Sequence, residues 1–364
     1  MKKRCLTLLA VGDVAIDHED PESTFYHVAE VLRSADICYA NCEQPLSDKG
    51  TPNPKQAIYS NPETIRALLY AGIDIVSLAN NHAQDWGKEA FLDTMERLER
   101  AGIHYVGAGK NLAEARRPVI LERNECRIGF LAYCSVGPEG FDYEAQDDRP
   151  GYAPLRAWTI YEHVDPQPGT WPRIVTIPYR EDLERMVDDV RTLRKKVDVV
   201  VVCPHWGLHV KPRVIPMYCF DIAHVAIDAG ADLIIGTHPH VLKGIEVYRG
   251  RVIFYSTGDF AMRFGPHMRD HKHISFLDRL YEVSEKEKQE RRYSLIVKTL
   301  IEDGGIKRVS YIPCYITDGV PEVVGADDPR AQRIFEYVLE ISEGLHSRFS
   351  WDGGEVVIHP DWGA

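Results

Sequence analysis

Apolar residues in this chain come in short runs that stop abruptly at polar ones, and these runs alternate with stretches of helical spacing. LTLLAVGD breaks off at Gly12-Asp13. TFYHVAEVLRSA repeats its apolar residues along one helical face. DICYANCEQP is strand-like and again ends in polar residues. Pro62 opens the helix PETIRALLYAG, and Gly72 closes it. IDIVSLANNH then reads as a buried strand, KEAFLDTMERLERAG as a helix ended by Gly102, and IHYVGAG as the next strand. Strand and helix in turn predict a largely parallel sheet.

After that the rhythm changes. Residues 118–134 (PVILERNECRIGFLAYC) predict a hairpin turning near Arg123-Asn124. Residues 135–178, rich in Pro, Gly, Asp and aromatics, predict a long irregular connection that shapes a pocket rim. A charged helix (REDLERMVDDVRTLRKKV), a core strand ending at His205, and a helix capped by Gly230 follow. ADLIIGTHPH is a strand ending in two histidines. IEVYRGRVIFYSTGD is a hairpin turning at Arg249-Gly250 and ending at Asp259. A second hairpin turns around Asp303-Gly304-Gly305, and residues 328–344 form a C-terminal helix. Without a repeat or linker, the pattern implies one domain over 1–364. Its core is 5–265, and the hairpin and helix of 293–346 complete it.

Composition narrows the function classes. A net charge of -12 and a pI near 5.7 work against non-specific nucleic-acid binding. A local pocket for a small anionic or peptide-like substrate stays open. The basic start, MKKR, precedes an apolar run from Cys5 to Gly12 that Asp13 ends. No small-x-small cleavage site follows, and a membrane-spanning helix needs about 20 apolar residues. The run therefore reads as a buried first strand, with no integral membrane segment and a cytoplasmic location expected. The eight cysteines contain no CxxC pair and read as buried free thiols.

The candidate chemistry lies where the apolar runs end: at Asp13, Asn41-Cys42-Glu43, Asn80-Asn81-His82, His205, and His238-Pro239-His240. Ligands of open parallel sheets bind beyond the carboxyl ends of the strands, so these residues are expected to converge. A carboxylate able to bridge, several imidazoles and an amide oxygen suit one or two divalent cations of the Mn, Fe or Zn kind. Two such cations about 4 Å apart activate water and clamp a phosphoryl or acyl oxygen. Each element alone has a plain structural reading, such as a turn, a core histidine or an Asn helix cap. Strand alternation would put both imidazoles of His238-Pro239-His240 on one side. Secondary candidates are His267, His271 and His273 in a loop, and the cations Lys55, Lys211, Arg213 and Arg263. Asp85 reads as a helix-start acid, and Trp86 and Trp206 as pocket walls or packing.

Taken together, VGDVAID, ANCEQPL, IDIVSLANNHAQDWG, AGIHYVGAG, HWGLHV, AGADLIIGTHPHVLKGIE and IFYSTGDF resemble the CapA family, associated with poly-γ-glutamate capsule synthesis, over about residues 5–260. That family is similar to calcineurin-like metallophosphoesterases. The resemblance implies an α/β fold, a four-layer αββα sandwich of metallophosphoesterase type. It implies metal ligands at Asp13, Glu43, Asn81, His205, His238 and His240, with Glu43 in the bridging position. Catalytic roles fall to His82 as proton donor, Asp13 and His238. The chain departs from the pattern in four places. Asp13-Val14-Ala15 stands where phosphoesterases have Asp-x-His, with His18 the nearest histidine in sequence. Glu43 is longer than the usual bridging Asp. His209 replaces the Glu of HWGxE, and Asp259 replaces the Asn of GNF. The first two imply weaker or single-metal binding. The expected function is a metal-dependent hydrolase or transferase on a phospho- or peptide-like substrate. Alternatives are a metal-assisted acid/base peptide epimerase and a non-catalytic capsule-assembly or polymer-handling protein.

Overall fold

The computed structural model describes residues 5–54, 57–137, 142–263 and 278–360. His267, His271, His273 and Lys55 lie outside them. Two sheets carry the molecule. The first runs Ser347–Asp352, Glu355–Pro360, Gly305–Thr317, Tyr293–Glu302, Cys5–Ile16, Ile37–Cys42, Ile75–Ser77, His104–Val106, and Asp259–Arg263 also pairs with Cys5–Ile16. The second runs Ile245–Tyr248, Arg251–Phe254, Leu233–Ile235, Val199–His205, Cys126–Cys134, Val119–Arg123. The predicted parallel pairing holds from Cys5–Ile16 through His104–Val106 and again from Cys126–Cys134 through Leu233–Ile235.

Side-chain alternation explains why the apolar runs are continuous. Leu6, Leu8, Tyr39 and Ile75 face the second sheet and meet Ile128, Phe130, Val199, Val201, Leu233 and Phe254 in one core. Their neighbours Leu9, Val11, Cys38, Ala40 and Val76 point the other way, onto the helices Thr64–Ala71 and Gly87–Ala101. On the far side, Val200, Val202, Ile234 and Ile253 pack on the helices Arg180–Arg194 and Met217–Ala229. Strands buried on both faces lose the polar half of their alternation. Three cores between helix, sheet, sheet and helix make the four-layer sandwich. Each fully buried Leu, Ile or Phe contributes roughly 1.5–3 kcal/mol.

The C-terminal helix, Pro329–Ile341, has Asp328 as N-cap and Pro329 at its first position. It does not join an outer layer. Ala331, Ile334, Tyr337, Val338 and Ile341 enter the core between the sheets. Tight two-residue turns close the hairpins at Arg249-Gly250 and Asp303-Gly304, all four residues at positive φ.

Two stretches differ from expectation. Residues 135–178 are not irregular throughout. Gly151–Tyr152 pairs with Ala108–Gly109, and Ala157–Glu162 pairs with Arg173–Pro178 as a separate ribbon. The ribbon rests on the helix Met217–Ala229, where Thr176 Oγ1 accepts from Tyr218 N at 3.1 Å. The final hairpin, Ser347–Asp352 with Glu355–Pro360, extends the first sheet and was not anticipated. Seven cysteines are buried and only Cys5 is exposed, all with free thiols. No helix among the described residues is long and apolar enough to cross a membrane.

Candidate metal centre

The strand ends do converge. Asp13 lies beside Asn41, and Asn41 beside Ser77, in parallel register. From the second sheet, His205 ends its strand beside Cys134 and bridges to Thr237. The pairing of the first strand slips at Asp13 with both parallel neighbours. Such bulges re-aim a side chain at the rim of a sheet. Gly12 permits the approach: a Cβ there would stand 1.9 Å from the Gly258 carbonyl oxygen. That carbonyl accepts from Asp13 N at 3.2 Å.

The cluster has two halves. In the first, ligand atoms of Glu43, His205 and His238 lie within 4.8 Å of one another. Asn81 Oδ1 is 2.7 Å from His205 Nε2, which is 3.5 Å from Glu43 Oε1. Thr237 Oγ1 fixes the other His205 ring nitrogen at 2.9 Å. In the second, Asp13, His240 and Asp259 meet the same 4.8 Å limit. His240 Nδ1 is 2.7 Å from Asp259 Oδ1 and 3.7 Å from Asp13 Oδ2. Asn41 Nδ2 donates to Asp13 Oδ1 at 2.7 Å, and His238 N to Asp13 Oδ2 at 3.2 Å.

Glu43 joins the halves. It is 0% exposed, and neither carboxylate oxygen has a hydrogen-bond partner. Burial pushes this carboxyl up, yet the imidazoles of His240, His205 and His82 hold it down at about 2. Asp13 goes the opposite way, pushed well up by burial and then by the Glu43 and Asp259 carboxylates. Burial lowers His205, and burial with its imidazole neighbours lowers His238 much further. Burial would also lower His240, but Asp259, Glu43 and Asp13 lift it to about 10. The result is one buried carboxylate, without a hydrogen-bond partner but facing imidazoles, among groups shifted in opposite directions.

His82 stands at the edge of the first half. Its Nδ1 lies 2.6 Å from Asp85 Oδ2, which also accepts from Ile58 N at 2.7 Å. With Nδ1 engaged, Nε2 is the ring nitrogen left for chemistry. Burial lowers His82, but Asp85 outweighs it and the net shift is upward. Asp85 is buried, so the helix-dipole reading of it gives way to this pairing.

His238 and His240 owe their positions to a turn rather than to strand alternation. The strand stops at Ile235, and both histidines have positive φ, 99° and 56°. The two rings therefore diverge, 6.0 Å apart, one into each half. His209 stacks over both, 4.0 Å from His238 and 5.2 Å from His240. Its neighbour Val210, also at positive φ, donates its N–H to the Pro239 carbonyl at 2.9 Å.

All seven site residues named from sequence, Asp13, Glu43, Asn81, His82, His205, His238 and His240, lie in or against this cluster. Asn41, Asp85, Thr237 and Asp259 join them as partners. Asp259 carried a sequence signal as a departure from the family pattern. The secondary cations are engaged elsewhere. Lys211 pairs with Glu287, Arg213 with Glu340, and Arg263 donates to Ser23. His18 turns to the Asp20 carbonyl at the surface. Trp206 is fully buried and donates to the Tyr255 carbonyl, so it packs rather than walls a pocket.

A four-layer sandwich with a metal-type donor cluster at its strand ends defines the class. The chain belongs to the family described as bacterial capsule synthesis protein PGA_cap, whose pattern matches residues 7–263. It is 30% identical over 276 residues to the PGA biosynthesis protein CapA of Bacillus subtilis, covering 70% of this chain and 63% of that protein. It is 28% identical over 277 residues to the capsule biosynthesis protein CapA of Bacillus anthracis, covering 71% and 60%. The chain thus spans about three-fifths of these curated relatives. The crystal structure of the calcineurin-like phosphoesterase YfkN from Bacillus subtilis superposes with a TM-score of 0.40 and 13% identity, covering 93% of this chain and 98% of that one.

Proposed function

We propose that the chain is a metal-dependent hydrolase or transferase acting on an anionic phospho- or peptide-like substrate in poly-γ-glutamate capsule synthesis. The observation that carries this reading is Glu43. A buried carboxylate held ionised with no hydrogen bond costs several kcal/mol unless a cation answers it. The donor set fits that cation. Glu43, Asn81, His205 and His238 would hold one divalent ion of the Mn, Fe or Zn type, and His238 Nδ1 has no hydrogen-bond partner. Asp13 and His240 flank a second position across Glu43. A cation held there supplies Lewis acidity toward a phosphoryl or acyl oxygen.

The remaining work belongs to side chains. Asp85 holds the His82 ring in one orientation and favours its protonated form, from which Nε2 would deliver a proton to the leaving group. Thr237 and Asn41 fix His205 and Asp13 from behind. His209 covers both histidines of the turn and narrows the access of solvent.

The test is to supply purified protein with Mn2+, Fe2+ or Zn2+ and offer phosphate esters and short γ-glutamyl peptides. Turnover that needs a cation and is lost in Glu43→Gln is expected. Protein that retains no divalent cation, and that none activates, would end the proposal. Solvent deuterium appearing at Cα without bond cleavage would replace hydrolysis by epimerisation.

A further inference from the structure

Ala15 leaves the second cation position without the imidazole that phosphoesterases put there. Ala15 is buried and packs with Ile58 and Met262, so no polar group reaches the cluster from that position. His18, the nearest histidine in sequence, is at the surface. We propose that Asp259 supplies the missing ligand, so that Asp13, Glu43, His240 and Asp259 form a second, carboxylate-rich cation site beside the imidazole-rich one. This rests on the reading that the cluster binds divalent cations.

Three observations carry the assignment. First, the fold delivers Asp259 to the spot. Asp259 is the Cα partner of Asp13 in a parallel pair, and adjacent residues of paired strands share a face. The close approach needs glycine on both chains: Gly12 has no room for a Cβ, and Gly258 has φ 68°. The Asp259 carbonyl is pinned by Ser294 Oγ at 2.6 Å.

Second, the contacts converge as ligands do. Asp259 Oδ1 and Asp13 Oδ2 both approach the same ring nitrogen, His240 Nδ1, at 2.7 and 3.7 Å. One ring N–H cannot serve two carboxylates well. A carboxylate that merely oriented the histidine would meet the nitrogen facing away from the cation. Here it meets the nitrogen that Asp13 also faces.

Third, Glu43 lies against the other nitrogen of the same ring. It is fully buried, neither of its oxygens has a hydrogen-bond partner, and its Oε1 lies 3.9 Å from His240 Nε2.

The exchange of an imidazole for a carboxylate has chemical consequences. Three carboxylates and one imidazole form a harder donor set than that of the neighbouring site. They favour Mn2+ or Mg2+ over Zn2+, while the imidazole half favours Zn2+. The centre also carries one more negative charge than the usual two-site arrangement. The two halves are thereby built for unlike cations.

The test measures binding, separately from turnover. Wild-type protein and the variants Asp259→Ala and Asp259→Ser are dialysed against Mn2+ alone, and bound metal is counted. Electron paramagnetic resonance then reads whether the ions are paired. Wild type is expected to bind about two Mn2+ with the exchange-coupled spectrum of ions about 4 Å apart. Both variants, folded as wild type by thermal melting, are expected to bind one and give a single-ion spectrum. Two coupled ions in either folded variant would overturn the proposal and leave Asp259 as an orienting residue. A single ion in wild type would overturn it too, while the metal-dependent reading stands. No bound ion in wild type would overturn both. If Asp259→Ala does not fold, Asp259→Ser decides. If neither folds, the count on wild type and on Glu43→Gln decides: two coupled ions falling to none supports a shared centre, and any other count overturns it.

Discussion

The two halves of the cluster share Glu43 but were assembled differently. Glu43, Asn81, His205 and His238 come from ends of four separate segments, and of these only Glu43 departs from the usual residue type. The other half, Asp13, His240 and Asp259, has Ala15 where phosphoesterases carry an imidazole, and one of its carboxylates comes from a strand more than two hundred residues away. In the first half each position is defined by its own strand or turn. In the second, the geometry depends on two backbones touching at Gly12 and Gly258. A strand distant in sequence can thus bring a carboxylate beside Asp13, provided the backbone contact is close enough.

That contrast can be broken most severely at the backbone. Gly12→Ala places a methyl 1.9 Å from the Gly258 carbonyl oxygen. The strand Asp259–Arg263 must then move away from Cys5–Ile16. We expect a loss of about 3 kcal/mol or more by urea denaturation, with the carboxylate half failing to bind Mn2+ even where the protein still folds. Unchanged stability would mean that the two backbones are not in contact.

A smaller effect separates proton transfer from cation binding. Asp85→Asn leaves both halves intact but unfixes His82. Turnover should fall by roughly 10–100-fold, as for other residues that orient an active group, with the metal count unchanged. A lowered metal count would place Asp85 in the binding of the cation instead.

An effect graded with pH concerns the cover the halves share. Lys243 is buried without an acid, and its Nζ donates to the carbonyls of Lys211 and Val214, holding the loop that carries His209. Burial lowers its pKa to about 7. The unfolded chain keeps this lysine charged up to about pH 10.4, so between about pH 7 and 10 unfolding takes up a proton and stability rises with pH. Relative to Lys243→Met, wild type should gain at most about 1.4 kcal/mol per pH unit across that window. Parallel stability curves for the two proteins would remove the buried charge from the account.

Much of this was legible because the core strands are buried on both faces. VVVVCPH stops where expected, at His205, whereas the strand that begins with LTLLAVGD runs on past Asp13 to Ile16, with a bulge at Asp13. The ribbon Ala157–Glu162 with Arg173–Pro178 gave no such signal. Trp158, Ile160, Tyr161 and Ile174 are apolar yet exposed, so neither face of it follows the usual pattern. The pairing of His82 with Asp85 hid behind an ordinary helix-start acid. Asp259 was visible as a departure but not as a ligand, since its proximity to Asp13 is created by a strand pairing that local sequence does not encode. The histidine pair His238 and His240 lies in the cluster but on a turn, not at the end of an alternating strand as expected. Proline between them and the end of the strand at Ile235 favoured a turn.

That turn says something about selection. Histidine at positive φ costs on the order of 1–3 kcal/mol at each position, and glycine would relieve most of it. Val210, opposite them, is a β-branched residue in the same unfavourable region. Natural proteins have little stability to spare, and a chain kept only as a structural part would be free to drift toward glycine at 238 and 240. Here the costly turn sends its two imidazoles apart, one into each half of the cluster.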